Sequence, residues 1–376
     1  MSLARSDQSL LARWWWTVDR WQLTAIIALM VSGLVLMLAA SPSAAVRMGI
    51  DGPFLLARRQ LMYMPLAVIA MLGISLATPR QVHRIAAFGL LGSLLLVAAT
   101  LGVGTEIKGA SRWIRLPGLS LLQPSEFVKP CFAVMTGWLL ASWRTSVGLP
   151  AVPIAGALWA TVVGLLLLQP DVGQAVLVTG IFGAQLFLAG LAMILVAIAL
   201  VAAVCGLVAI YFLFPHVTER IDGFLGNEGG SDSYQIERSL EAFRNGGLWG
   251  RGPGEGQVKD HLPDVHSDFI LAVAGEEFGL VVCLVLVALF AFVVLRGFSK
   301  ARADQSLFVL LGAAGLVTQL GLQAMINMAS SLSLIPTKGM TLPFISYGGS
   351  SYLALALAMG MLLALTRRRP SSETEI

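Results

Sequence analysis

The segment HLPDVHSDFILAVAGEEFG, His261 to Gly279, passes from polar residues into an apolar run and carries Asp268, Glu276 and Glu277. Carboxylates at such a place are costly, and they persist where they line a cavity, meet a cation or move protons. Asp268 falls where the first turn of a helix is expected, a position at which the helix dipole or an N-cap role favours a carboxylate. Glu276 and Glu277 lie about 12 Å farther along a helix and are offset by about 100°. One is therefore expected to line a cavity while the other pairs with a neighbouring helix, and Lys129 is a candidate partner.

Glu126 and Lys129 stand three residues apart and share a helix face, either as a structural ion pair or with Lys129 offering charge to an anionic ligand. Gln319, Gln323 and Asn327 recur every four residues as a polar stripe suited to interhelical hydrogen bonds, with Asn327 best placed for a ligand. The run GGLWGRGPGEG lacks the residue order of a nucleotide-binding loop, but its glycines permit tight turns and close backbone approach. Arg238, Arg244, Arg251 and Lys259 surround it, as a basic rim for phosphates or a solvated face. In SYGGSS, Ser346 and Ser350 flank glycines where free backbone N–H groups could bind an anion or simply cap a helix. Cys131, Cys205 and Cys283 each sit alone in apolar surroundings and read as packing residues, and the four histidines form no zinc motif.

What must position these groups is a bundle in a membrane. The 376 residues are 57% hydrophobic and 12% charged, where a soluble domain has roughly 25% charged residues, and a net charge of +4 without a basic tract carries no nucleic-acid signal. The expected architecture is all-α and polytopic, with about ten transmembrane helices near 22–43, 61–78, 85–103, 124–143, 150–168, 172–190, 191–214, 268–295, 305–331 and 347–366. The first apolar run is read as an uncleaved helix preceded by an aromatic belt of Trp14, Trp15, Trp16 and Trp21. An even count puts both termini on one side, and the loops of that side carry twelve Lys/Arg against seven in the short opposite loops, so both termini are expected in the cytoplasm. The expected division is a cytoplasmic segment 1–21, one membrane domain 22–366 with a large outer loop 215–267 between the seventh and eighth helices, and a cytoplasmic tail 367–376. No broken helix or inverted repeat of the transporter kind is evident.

Taken together, RW-I with QPSE-x-x-K, QPD-x-G, GG-x-x-G-x-G, LP-x-x-H-S-DFI with EE-x-G, and P-x-K-G-x-x-LP-x-I-SYGGSS resemble the SEDS family (shape, elongation, division and sporulation), most closely its division-associated branch. Ser267 stands where Thr is common, and SLSL, Ser331 to Leu334, lacks a usual glycine. The resemblance implies a peptidoglycan glycosyltransferase that polymerises lipid II at the outer face of the bacterial cytoplasmic membrane during septal synthesis. It implies Asp268 as the catalytic residue, a divalent cation (Mg²⁺ or Mn²⁺), and a class B penicillin-binding transpeptidase among division partners. Substrate contacts are expected from Arg112, Trp113, Glu126, Lys129, Lys259, Glu276, Asn327, Lys338, Ser346 and Ser350. The chemistry asks for one base to take the acceptor hydroxyl proton and for positive charge, from Lys129, Arg112, Lys338 or a bound cation, at the departing pyrophosphate. A lipid II flippase and a non-catalytic division scaffold are the rival expectations.

Overall fold

The computed structural model describes residues 9–107, 110–115, 121–145, 150–191, 193–225, 231–336 and 339–368. The apolar runs fall on helices. In chain order these are α1 (Leu10–Thr17), α2 (Arg20–Met48), α3 (Leu55–Ser75), α4 (Pro79–Val103), α5 (Pro124–Thr145), α6 (Ala151–Leu168), α7 (Val172–Leu188), α8 (Met193–Leu213), α9 (Pro215–Leu225), α10 (Ser231–Gly246), α11 (Ile270–Arg302), α12 (Leu307–Ser331) and α13 (Gly349–Leu365). Six of them, α2, α3, α4, α6, α11 and α12, are long and apolar enough to cross a membrane. A seventh span results if Val204–Leu213 and Val217–Phe224, bent by 102°, count as one, while α7 and α13 are shorter apolar helices. The chain is thus an all-α, multi-pass membrane protein.

Burial follows composition. α12 packs against α5, α7, α11 and α13 and is mostly buried, whereas α3, α4, α6 and α11 leave most of their apolar surface outward. Small residues permit the tight central crossing of α5 and α12: a Cβ on Gly137 would stand 2.7 Å from the backbone nitrogen of Gly312.

Two features depart from the sequence expectation. A short antiparallel hairpin, β1 (Thr105–Ile107) with β2 (Ala110–Trp113), pairs Thr105 with Trp113 and presents Arg112 beyond α4. Three- and four-residue strands leave almost no periodic signal. The second departure is a break in α11 at Gly279, whose φ of 79° and ψ of −178° lie outside the helical region. The carbonyls of Glu276 and Glu277 would ordinarily receive Leu280 N–H and Val281 N–H. They receive Arg251 N–H and Gly252 N–H instead, both at 3.0 Å, while Leu280 and Val281 donate to Gly247 and Leu248 at 3.0 and 3.3 Å. The glycine-rich loop thereby replaces the missing helical bonds, and these two carbonyls and two N–H groups at the break keep partners. Its glycines are required sterically: a Cβ on Gly246 would lie 1.8 Å from Gly275 O, and one on Gly250 2.2 Å from Glu277 O.

Candidate functional site

Asp268 lies in the turn that precedes α11, half-buried, one residue before the N-cap Phe269. This corrects the expected first-turn or capping position, and the cap of α11 has no side-chain hydrogen bond. The turn closes on Asp264, a non-glycine residue at φ 48°, whose carbonyl accepts the N–H groups of Ser267 and Asp268, each at 3.0 Å. Aspartate is among the non-glycine residues that enter the left-handed region most readily, which suits it to such a turn. The Asp268 carbonyl is held by Asn327 Nδ2 at 3.0 Å and Ser331 Oγ at 3.4 Å. The carboxylate faces the last loop, since a Cβ built on Gly339 would stand 3.8 Å from Asp268 Oδ2. Lys338, the preceding residue, lies outside the described residues.

Two loops meet around this turn. Asn327 Nδ2 also donates to Met340 O at 2.7 Å, Ser346 Oγ donates to Ser267 O and accepts from Leu342 N–H at 2.8 Å, and Tyr347 N–H reaches His266 O at 2.9 Å. Asn327 Oδ1 is buried and without a partner among the described residues. Ser346 therefore stitches loops together rather than offering a free hydroxyl, and it does not cap α13. Ser350 does likewise elsewhere, accepting Gln123 N–H at 3.0 Å and donating to Leu121 O at 3.2 Å.

Beneath lies a buried polar chain. Lys129 Nζ is 2.9 Å from Glu126 Oε2 and 3.2 Å from Gln323 Oε1, Gln174 Nε2 donates to Glu126 Oε1 at 2.7 Å, and Gln323 Nε2 donates to Thr341 O at 3.0 Å. The side chain of Lys129 is 1% exposed, so the structural half of the sequence reading holds for this pair. Gln319, by contrast, is buried with neither amide atom paired among the described residues. Gln174 and Thr341 were not picked out from the sequence; Gln174 directly follows QPD-x-G, and Thr341 fills an open position of P-x-K-G-x-x-LP.

The glutamates of α11 correct the sequence reading. Both are buried, and neither lines an open cavity or meets Lys129. Glu276 accepts N–H groups from Gln257 and Val258 at 2.8 Å and from Lys259 at 3.1 Å. Glu277 accepts Gly254 N–H at 3.0 Å and pairs with Lys259 Nζ. Lys259, only 5% exposed, also reaches Ala39 O at 3.3 Å; it is an internal counter-ion and not part of a basic rim. The break at Gly279 is the reason, because it brings the 250–259 loop down onto the carboxylates. Arg238, 2.5 Å from Glu241, together with Arg244 and Arg251, remains on the exposed side. Beside this cluster an apolar groove of 710 Å³ opens between α2 and the loop, lined among others by Val35, Leu38, Val46, Phe54 and Phe278.

Arg112 belongs to a third group. It donates to Gln169 O at 3.0 Å and to Pro170 O, and lies 3.5 Å from Asp171 Oδ1. Burial pushes the Asp171 carboxyl above its ordinary range, against the pull of Arg112. Trp113, the next residue of β2, is half-buried. The structure thus brings Asp268, Asn327 and Ser346 together, sets Glu126 and Lys129 below them through Gln323 and Thr341, and keeps Glu276 with Lys259 in a separate cluster.

The comparisons agree along nearly the whole chain. It is 47% identical over 371 residues to the probable peptidoglycan glycosyltransferase FtsW of Caulobacter vibrioides, covering 99% of this chain and 95% of the other. It is 38% identical over 364 residues to the corresponding protein of Geobacter metallireducens, covering 93% and 96%. A chain from a solved peptidoglycan synthase complex, described as coordinating polymerization and crosslinking, superposes with a TM-score of 0.77 at 28% identity, covering 93% and 97%. The rod shape determining protein RodA of Thermus thermophilus does so at 0.69 and 27%, covering 94% and 97%. The family described as "Cell cycle protein", FtsW/RodA/SpoVE, matches residues 20–371, and the chain belongs to that family.

Proposed function

We propose that this protein is a peptidoglycan glycosyltransferase of septal wall synthesis that polymerises lipid II, with Asp268 as the general base. The observation that carries the reading is the setting of Asp268: a half-buried carboxylate that faces the last loop, on a turn fixed through its own backbone. The 4-hydroxyl oxygen of the acceptor sugar attacks C1 of the donor, the C1–phosphate oxygen bond breaks, and the hydroxyl proton passes to Asp268. The pyrophosphate leaves without needing a proton, so a second carboxylic acid of the glycosidase kind is unnecessary. It does need positive charge. Lys129 is committed to Glu126 and Gln323, and Lys259 to Glu277, which leaves Lys338, next in the chain to Gly339, as the cation we assign to that role. Arg112 orients the 169–171 loop.

Among the described residues no three His, Cys, Asp or Glu side chains converge as a metal cage. The donor set fits a divalent cation of the Mg²⁺ type held by one carboxylate, Asp268, and the substrate phosphates, as such ions commonly are. When bound, it would neutralise charge on the departing pyrophosphate.

The reading includes ten spans, both termini in the cytoplasm, the 215–267 connection and Asp268 at the outer face of the cytoplasmic membrane, and a class B penicillin-binding transpeptidase as partner. The positive-charge bias of the loops supports the orientation. Likeness to a chain of a synthase complex supports the partner. The break in α11 is the one feature that favours a flippase, since broken helices are common in transporters. Here the glycine loop fills the break instead of leaving its backbone to a substrate. Purified protein with its transpeptidase partner, given lipid II in detergent where there is no membrane to cross, is expected to form glycan chains that vanish with Asp268→Ala. A flippase or scaffold gives none in either case.

A further inference from the structure

Where α1 ends and α2 begins, a hollow of 530 Å³ takes no part in this chemistry. Its size falls within the roughly 300–1,000 Å³ of small-molecule sites. Its floor is Asp19, the buried N-cap of α2, which receives Arg296 Nε at 2.8 and 2.9 Å and lies 3.6 Å from Lys300 Nζ. Arg20 and Arg368 also line it, so four cations surround one carboxylate. Among the described residues no carboxylate pairs with Arg20 or Arg368. Both are nevertheless held in place: the Arg20 guanidinium lies over the rings of Trp15 and Trp16 at 5.2 and 4.9 Å, and Arg368 N–H donates to Thr17 O at 3.1 Å. A surplus of positive charge fixed around a preformed concavity attracts an anion.

The surroundings identify the kind of anion. Trp16 and Trp21, which also line the hollow, are 38% and 69% exposed, and exposed indoles at helix ends mark the boundary between lipid and water. α1 lies across the bundle end, anchored by Trp14 Nε1 to Ser75 Oγ at 2.8 Å. Basic pockets between transmembrane helices at that depth bind acidic headgroups. We propose that this hollow binds the phosphodiester headgroup of an anionic phospholipid, with Arg20 and Arg368 on the phosphate and the two exposed indoles flanking the glycerol.

The test is native mass spectrometry of the full-length protein from mixed micelles containing phosphatidylglycerol or phosphatidylcholine. Phosphatidylglycerol is expected to be retained in preference by about tenfold, and Arg20→Gln with Arg368→Gln to lower that retention by about fivefold, whereas the Arg→Lys pair keeps at least about half. If the double glutamine variant does not elute as a single species, Arg368→Gln alone, beyond the last helix, is expected to lose about half of the retained lipid. Equal retention of the two lipids, or retention unchanged in the glutamine variants, overturns the proposal. So does displacement of the lipid by millimolar inorganic phosphate, which would mark a site for a free anion.

Discussion

Asp268 is fixed by its backbone, and its side chain contributes nothing to the cap of α11. Asp268→Asn should therefore keep the wild-type melting temperature while polymer formation falls by about 10²–10⁴-fold, the usual scale of general base catalysis; equal loss of both would make the residue structural. Lys259 and Glu277 behave oppositely, because each is buried against the other. Lys259→Met leaves a buried carboxylate without its cation and should cost about 3–5 kcal/mol, read as a drop in melting temperature in detergent. Adding Glu277→Leu removes that stranded charge, so the double variant should be no less stable than Lys259→Met alone. The Glu126–Lys129 pair could be read from the sequence because its spacing lies within one helix. Lys259 and Glu277 are joined only by a loop folding back on a broken helix, and no local period encodes that.

At the scale of elements, the break in α11 depends on glycines whose need becomes visible only when two segments meet. EEFG reads as an ordinary helical glycine, yet Gly279 has φ 79° and a Cβ there would lie 2.4 Å from Gly250 N. Gly279→Ala and Gly250→Ala should each displace the 247–259 loop at a cost of at least about 1–3 kcal/mol. The expected readout is faster proteolytic cleavage within that loop with membrane insertion unchanged; protection equal to wild type would mean that the loop tolerates the extra carbon. Helix existence was legible because twenty-residue apolar runs have few alternatives. The break and the hairpin were not, since both depend on contacts between distant segments. The start of α2 offers a titration. Burial alone would raise the Asp19 carboxyl, but the hydrogen bonds from Arg296 and Gln22 N–H and the charges of Arg296 and Lys300 outweigh it and hold the group below its ordinary range. A carboxylate depressed in this way stabilises the fold above its unfolded value near about 3.9, and that contribution is lost as pH falls through the folded value. Melting temperature should thus fall more steeply in wild type than in Asp19→Asn as pH is lowered from about 5 towards 3.

At the scale of the whole molecule, three polar clusters sit in a bundle whose outward surface is apolar, and the orientation of that bundle decides which leaflet Asp268 faces. Trp249, 80% exposed, stands on the glycine loop that fills the break in α11, while Trp16 and Trp21 lie beside the hollow at the end of α2. Lys259 of that loop pairs with Glu277, 18 positions on in the chain, and Asp268 lies between them, so labelling the loop reports the side of Asp268. With Cys131, Cys205 and Cys283 replaced, Trp249→Cys in intact cells with a permeabilised outer membrane should react with a membrane-impermeant maleimide. Ser372→Cys in the tail should react only after the inner membrane is opened. The reverse pattern would put Asp268 on the side where nucleotide-linked precursors are made and the lipid-linked acceptor is not presented, and polymerisation by this residue would then have no substrate within reach. The charge bias of the loops predicts the first pattern, because short loops rich in Lys and Arg stay in the cytoplasm and ten spans would put the glycine loop on the opposite side.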